Sequence, residues 1–571
     1  MSAALRVLVL SDFNVDNFCG YLRNQFEERK TAVEIAAAPF GQLVPALLDG
    51  SMAIWSTTHD GALVWTLPEA VIPSFAKLLD GQRVALDDVL AEVRSFAEAL
   101  LSAAKRVKWM IVASWAAPRL PGLAFGSLEM QPGVGVTATL MHMNLALGEA
   151  LRERGVTLLD ANRWLRGPSA EVFSAKRWYL AKVPFGNAAL REAAIDIAES
   201  IRNRLGRARK LVIVDLDDTL WGGILGDEGW ENLRLGGHDG IGEAYVDFQR
   251  GLAALKRRGI LLAIVSKNTE SIALEAMRKH PEMVLRPEDF VGWRINWDDK
   301  ARNIVELVRE LNLGLDAAVF LDDNPFERAR LAEALPDVLV PDWPKDPLLY
   351  RSALASLRCF DAVALSEEDQ GRTQLYEQER ERTADRAAFA SVDEWLTTLA
   401  TTVRVEPLAA SNLARVAQLL NKTNQLNLRT RRMSEPELQR WAGQPGCSVH
   451  AFHVSDRFGA AGLTGILGLQ IRDGVAHIED FVLSCRVMGR KVEETLVHVA
   501  TELARAQGAA SVRAEYVPTA KNGPCLAFWR RSGFAIEGDE ARPMFVWQTD
   551  AVYELPAAIT LDRAVVTPLS G

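Results

Sequence analysis

Cysteine is scarce: five residues in 571, at Cys19, Cys359, Cys447, Cys485 and Cys525, with no CxxC pair among them. That spacing supports neither a disulfide framework nor a zinc site. No apolar run reaches the roughly 18 to 20 residues of a membrane span. The opening "MSAALRVLVLSDF" holds one Arg and a short apolar run. It lacks the charged n-region, long h-region and small-residue cleavage site of a signal peptide, so a cytoplasmic location is expected. Positive charge is not in excess either: 65 Lys and Arg against 74 Asp and Glu leave a net −9. A general nucleic-acid surface is thereby excluded. Internal repeats are missing too. What is present is ordinary globular composition, 49% hydrophobic and 24% charged, in a chain long enough for about three or four domains.

Strand-like and helix-like segments alternate over residues 1–205. "RVLVLSDF" and "WMIVASWAA" (from Trp109) read as buried parallel strands, and "HMNLALGEALRERGVTLLDANRWL" as helix, turn at Gly155 and strand. A parallel α/β layer domain follows. The alternation restarts over 206–360, where "KLVIVDLDDT", "GILLAIVSKN" and "AAVFLDDNP" read as strands, each running into polar residues. A doubly wound sheet binds ligands at those strand ends. A charge-rich helical connector, 361–400, leads to a third domain at 401–553, which opens on helical segments and reads as α+β; 554–571 reads as a tail. The expected fold class is thus α/β in three domains.

The string "VIVDLDDTLWGG", from Val212 to Gly223, ends a β-branched strand on Asp215, Asp217 and Asp218. Side chains alternate along a strand, so Asp215 and Asp217 converge only where the chain turns. "VFLDDNPFER" supplies a second pair, Asp322 and Asp323, and between them come Ser266, Lys267 and Asn268 of "VSKN" and Lys300 of "NWDDKARNI". Carboxylates in this number suit Mg²⁺, which takes one or two of them together with substrate phosphate. A Ser hydroxyl and a Lys ammonium, with Lys267 and Asn268 beside them, suit phosphoryl oxygens. Turn formation or helix capping explains one such cluster, but not a series of them, each ending a buried strand.

These residues resemble the motifs of the haloacid dehalogenase (HAD) superfamily, in order. The resemblance implies that Asp215 is a nucleophile forming an aspartyl-phosphate and that Asp217 is the general acid/base. It also implies that Ser266 and Lys300 hold the phosphoryl group. Asp215, the Asp217 carbonyl and Asp322 or Asp323 would bind Mg²⁺. The motifs follow one another too closely for a large cap domain, so an open, capless site is expected.

Longer strings, "DLDDTLWGGILGDEGWENLRLG", "FLDDNPFERA", "LLNKTNQLNLRTRR" and "FVLSCRVMGRKVEE", look like the FkbH-like family, HAD subgroup IIIC, over roughly residues 205–550. That family's activity implies transfer of a glyceryl unit from 1,3-bisphosphoglycerate to the phosphopantetheine thiol of an acyl carrier protein, for polyketide building blocks. The alternative is a HAD phosphatase fused to an acyltransferase in surface-polysaccharide or other conjugate synthesis. Residues 401–553 resemble the GNAT acyltransferase fold. There "SCRVMGRKVEETLV" stands for the turn that clasps a pyrophosphate at a helix N-terminus. The resemblance implies acyl or pantetheine contacts from Arg486, Gly489, Arg490 and Asn522, although Lys491 replaces the usual second Gly. Cys485, beside Arg486, Arg490 and Lys491, has the setting of a low-pKa thiol and is the expected thioester relay. His477 and Glu479 share a strand face in this reading, with Phe481. Residues 1–205 look like a faint SGNH-hydrolase domain, with Ser11-Asp12-Phe13 and Asp160-Ala-Asn-Arg163 at the motif positions. Without a Ser–His pair, docking is expected of it rather than hydrolysis.

Overall fold

The hydrophobic runs fold as three sheets. The computed structural model describes residues 4–28, 31–116, 126–152, 155–165, 172–206, 208–237, 239–311, 313–361, 378, 381–382, 385–386, 388–389, 391–423, 425–519, 521–540 and 542–563, without the side chains of Lys422 and Cys485. The chain divides into two compact units, 1–205 with 361–363, and 206–360 with 364–571.

In the first unit β1 (Leu5–Ser11), β2 (Val33–Ala37), β3 (Gly61–Trp65), β4 (Trp109–Ala113) and β5 (Val156–Leu159) are ordered β2-β1-β3-β4-β5 and are parallel throughout. Strand β1 shows why its sequence is a continuous apolar run. Val7 and Val9 pack with helices Asp16–Glu27 and Asn187–Arg204, while Leu8 and Leu10 pack with helices Leu86–Ala104 and Val136–Leu151. A strand covered on both faces has no polar side to show. The polar residues at its end serve the turn: the Asp12 carboxylate accepts from Leu67 N at 3.0 Å, and Ser11 Oγ accepts from Phe13 N. Arg163, at the position of the missing histidine, pairs with Asp196 and Asp361.

The second unit contains the two other sheets. Strands β6 (Leu211–Val214), β7 (Leu261–Ser266), β8 (Gly292–Ile295) and β9 (Ala318–Leu321) form a parallel sheet ordered β8-β7-β6-β9. Strand β6 again divides its apolar residues between faces, Val212 and Val214 to one core and Leu211 and Ile213 to the other. Only β8, "GWRI", escapes the sequence reading, because four residues with an Arg among them carry no period.

The remaining sheet runs β16-β17-β15-β14-β13-β12-β10-β18. Its strands are β10 (Thr401–Pro407), β11 (Leu426–Asn427), β12 (Cys447–Asp456), β13 (Gly459–Arg472), β14 (Val475–Leu483), β15 (Ser511–Glu515), β16 (Ala535–Asp539), β17 (Arg542–Gln548) and β18 (Ile559–Arg563), with β11 pairing β14 from outside that order. Two boundaries differ from expectation. The domain opens on β10 rather than on helices, since Val403 and Val405 alternate into the core of "TTVRVEP". It also continues past 553, because β18 pairs in parallel with β10, Thr401 against Ile559. Most of the expected connector at 361–400 lies outside the described residues, but helix Val392–Thr398 is formed, and Arg382 is clamped on Asp456.

Candidate active site

Strands β6 and β9 lie side by side in register, Val214 against Leu321, so the residues that follow each emerge together at one edge of the sheet. Oxygens of Asp215, Asp322 and Asp323 all lie within 4.8 Å of one another. Lys300, the first residue of helix Lys300–Glu310, reaches into this cluster. Its Nζ donates to Asp215 Oδ2 at 2.9 Å and to Asp322 Oδ2 at 2.6 Å. Burial alone would lower the Lys300 pKa, but the two carboxylates outweigh it and the net shift is upward. Asp322 is fully buried. Burial first, then the Asp215 charge, raise it to about 6 against the pull of Lys300. One ammonium thus faces three carboxylates, and Asp215 Oδ1 is buried with no hydrogen-bond partner. A buried carboxylate oxygen left unpaired costs free energy. An all-oxygen set with a negative surplus fits a hard divalent cation.

Asp217 is set apart from this cluster. Its Oδ1 accepts from Trp221 Nε1 at 3.0 Å and from Leu225 N at 3.3 Å, and its Oδ2 accepts from Asn268 Nδ2 at 3.1 Å. Burial is the largest cause that raises its pKa, opposed by the Trp221 and Leu225 bonds. A carboxyl that is oriented and poised above its ordinary range is suited to proton transfer. The turn that aims it is gripped from below. Asp218 has φ +52°, and its carbonyl accepts from both Tyr245 Oη (3.2 Å) and Tyr350 Oη (3.1 Å). Gly222 lies against the same ring: a Cβ there would meet Tyr245 Cε2 at 2.8 Å, which is why the string ends on glycine. Thr219 Oγ1 accepts from Asp323 N at 3.0 Å, tying the two strand ends together.

The predicted phosphate contacts separate. Ser266 is buried at the end of β7. Lys267 is held by Glu327 at 2.7 Å. Asn268 donates to Asp217 Oδ2, so its amide is engaged with that carboxylate. Replacing it should therefore slow chemistry more than binding: Asn268→Ala is expected to lower kcat about tenfold with a small change in KM. Steady-state phosphatase kinetics check this, and a loss confined to KM would show that Asn268 binds substrate instead. Sequence reading missed the Tyr245–Tyr350 grip because both tyrosines are remote from the motif and carry no spacing signal.

The open parallel sheet, with its nucleophile candidate, buried lysine and carboxylate pair, is that of a HAD-type phosphatase domain. No family model matches the sequence, and no curated protein matches it. Among solved structures the chain is similar to the N-terminal part of the protein BF1531 from Bacteroides fragilis, described as containing a phosphatase domain complexed with Mg. The identity is 27% and the TM-score 0.58, over 63% of this chain and 95% of that one. It is also similar to an IAA acetyltransferase from Bacillus cereus (12% identity, TM-score 0.20, 26% of this chain and 99% of that). A further likeness is to the GNAT domain of S. lividans PAT (14%, 0.21, 25% and 89%). Residues 401–563 fold as one mixed sheet with helices packed on it.

In that domain the expected pantetheine contacts do not hold up as a set. Asn522 is fully buried and fully used. Its Oδ1 accepts from Tyr516 Oη and Thr519 N, and its Nδ2 donates to the carbonyls of Asn427 and Val517. It is a structural clasp. Arg490 is also buried, paired with Asp456 at 3.2 Å and donating to the Arg486 carbonyl. Arg486 Nε reaches Ser484 Oγ. Gly489 (φ +74°) and Lys491 (φ +64°) are both left-handed. However, the Gly489 N–H donates to Glu493 Oε1 at 2.6 Å, so the donor expected for a phosphate is already engaged. The backbone of Cys485 begins a short 3-10 turn after β14; its side chain lies outside the described residues.

Burial raises the Glu493 carboxyl to about 7, against the Gly489 bond that lowers it, and its Oε2 has no partner. The folded state therefore holds a proton that the unfolded chain releases near pH 4.5. Stability from this group is full below that pH and is lost as pH rises through about 7. Glu493→Gln keeps the bond to Gly489 without the charge. Thermal melts should show it more stable than the parent at pH 8 and indistinguishable at pH 4.5. Equal melting at both would place the proton elsewhere.

The strand reading of His477, Glu479 and Phe481 also needs correction. The pairing of β13 with β14 shifts register between Gly468 and Leu469, which makes Glu479 the extra residue of a β-bulge. Beyond the bulge the faces exchange. Phe481 stacks on Phe528 in the core, while His477 and Glu479 line a cleft on the other side.

Proposed function

We propose that this chain belongs with the FkbH-like enzymes. It would use the HAD-type site with Mg²⁺ to strip phosphate from 1,3-bisphosphoglycerate while the glyceryl unit passes to the phosphopantetheine thiol of an acyl carrier protein. The observation that supports it is the Asp215–Lys300–Asp322 arrangement with Asp217 held apart, as a nucleophile and a separate proton donor require. Asp215, Asp322 and Asp323 are the residues that would hold Mg²⁺. When bound, the ion supplies positive charge that offsets the phosphoryl oxygens.

Asp215 attacks phosphorus of the phosphate ester; the P–O bond breaks as Asp217 gives its proton to the leaving oxygen. Water, deprotonated by Asp217, then cleaves the aspartyl-phosphate and frees inorganic phosphate. Lys300 stabilises the phosphoryl charge throughout. At the acyl end, the Cys485 thiolate attacks the acyl-phosphate carbonyl. Phosphate leaves, a thioester forms, and the carrier thiol takes the glyceryl group by exchange. The Cys485 step rests on its sequence setting, a thiol followed by Arg486, Arg490 and Lys491. The N-terminal unit, its polar strand-end residues committed to turns and ion pairs, is assigned docking.

Intact-mass analysis of a phosphopantetheinylated carrier protein, incubated with enzyme, 1,3-bisphosphoglycerate and Mg²⁺, tests the reading. A gain of one glyceryl unit is expected, and Cys485→Ala should lose it while still releasing phosphate. A carrier of unchanged mass would overturn the acyl transfer.

A further inference from the structure

The second sheet of the larger unit carries the cleft lined by His477 and Glu479, about 330 Å³ and sharing no residue with the HAD-type cluster, lined also by Arg429, Arg431, Arg472 and Arg513. Its origin is visible in the strand register. Gln470 of β13 pairs with His477 of β14, and His477 pairs with Arg513 of β15, so these three side chains form one row across adjacent strands. Arg472 on β13 and Glu515 on β15 lie two residues from this row, on opposite sides of it. Apolar residues of the same strands, Ile478 and Ala514, face the opposite core. A sheet face with this alternation is polar by design of the sequence, not a leftover edge.

The charges do not cancel. Arg429 is held by Glu479 and by Glu515, which uses both carboxylates that line the cleft. Arg431 is held by Asp480, with its guanidinium carbon over the Trp441 ring at 4.4 Å. Arg472 and Arg513 have no carboxylate partner among the described residues, and Arg513 Nε is buried without a hydrogen-bond acceptor. Burial lowers the His477 pKa, with Arg472 adding to the effect, which disfavours a further positive charge there and leaves a ring that can hydrogen-bond. Two guanidiniums open to a concave site, beside that imidazole and the Gln470 amide, make a receptor for oxygen anions.

We infer that this cleft binds a small oxyanion-bearing acid, gripping its phosphate or carboxylate between Arg472 and Arg513. The inference concerns a site separate from the HAD-type cluster and stands without the proposed reaction. Calorimetric titration of the full-length protein tests it, in EDTA, with inorganic phosphate, glycerate and 3-phosphoglycerate as probes. Binding by at least one is expected. Phosphate alone would identify the phosphoryl group as the feature recognised, and glycerate alone the carboxylate.

The double variant Arg472→Gln/Arg513→Gln should weaken that binding at least about tenfold. It should leave phosphomonoester hydrolysis at the HAD-type site unchanged. The charge-retaining pair Arg472→Lys/Arg513→Lys should keep binding within a few-fold, which separates loss of recognition from loss of fold. An unchanged isotherm in the glutamine variant, or no binding of any probe to the parent, would overturn the assignment.

Discussion

Asp215→Asn is expected to lower phosphate release by about 10⁴-fold or more, the scale on which removing a nucleophile that acts with its partners is felt. The substitution is nearly isosteric, and Lys300 keeps its 2.6 Å bond to Asp322, so the fold should survive it. The loss belongs in kcat, because substrate phosphate still meets Lys300 and the cation cluster. Asp217→Asn should be less severe for substrates with good leaving groups, which need little protonation, and more severe for alkyl phosphates. Measuring both variants on both substrate types distinguishes nucleophile from acid. If Asp215→Asn kept more than a tenth of the parent rate, the roles assigned to the two aspartates would be wrong.

Lys300→Met should have the largest effect on stability. Lys300 is the buried counter-charge to Asp215 and Asp322, with side-chain exposures of 6%, 11% and 0% respectively. Removing one partner of a buried ion cluster costs about 3–5 kcal/mol, because the other charges remain desolvated and unpaired. Relief comes by protonation: Asp322 already sits at about 6 with Lys300 present, and without the ammonium it moves higher. The deficit should therefore be greater at pH 8 than at pH 5. Added Mg²⁺ should restore part of it, since binding to the folded state alone stabilises by mass action. Melting curves with Mg²⁺ and with EDTA check this, and an identical Mg²⁺ response in variant and parent would remove the cation from the carboxylate cluster.

The HAD-type site was largely legible because its residues lie at strand ends. There a buried apolar run, easy to recognise, stops at the polar residues of the candidate site. Asp215, Lys300, Asp322 and Asp323 meet at those ends, while Asp217 is held beside them by Trp221, Leu225 and Asn268. Lys267 and Asn268 of the same motif turn to different partners, since adjacency in sequence does not say where neighbouring side chains point: one turns to Glu327, the other to Asp217. In the third domain the failure has another cause. Asn522 and Arg490 look like ligand contacts, being polar residues near a glycine turn, but buried polar groups must find partners and both find them inside the fold. The faces of β14 were misread because a bulge is one extra residue, invisible to a period-of-two count. The place of Arg472 and Arg513 in a cleft went unseen because it is assembled from several strands, a helix and the loop after β11, whose residues read alone as solvated faces.

Everything proposed for the reaction depends on a phosphoryl group residing on Asp215. Rapid quench of the enzyme with Mg²⁺ and an acyl or alkyl phosphate, followed by borohydride reduction and peptide mass spectrometry, looks for it directly. The account predicts reduction of Asp215 to homoserine, dependent on substrate and absent in Asp215→Asn. Turnover at full rate with Asp215 unmodified under every quench condition would contradict it.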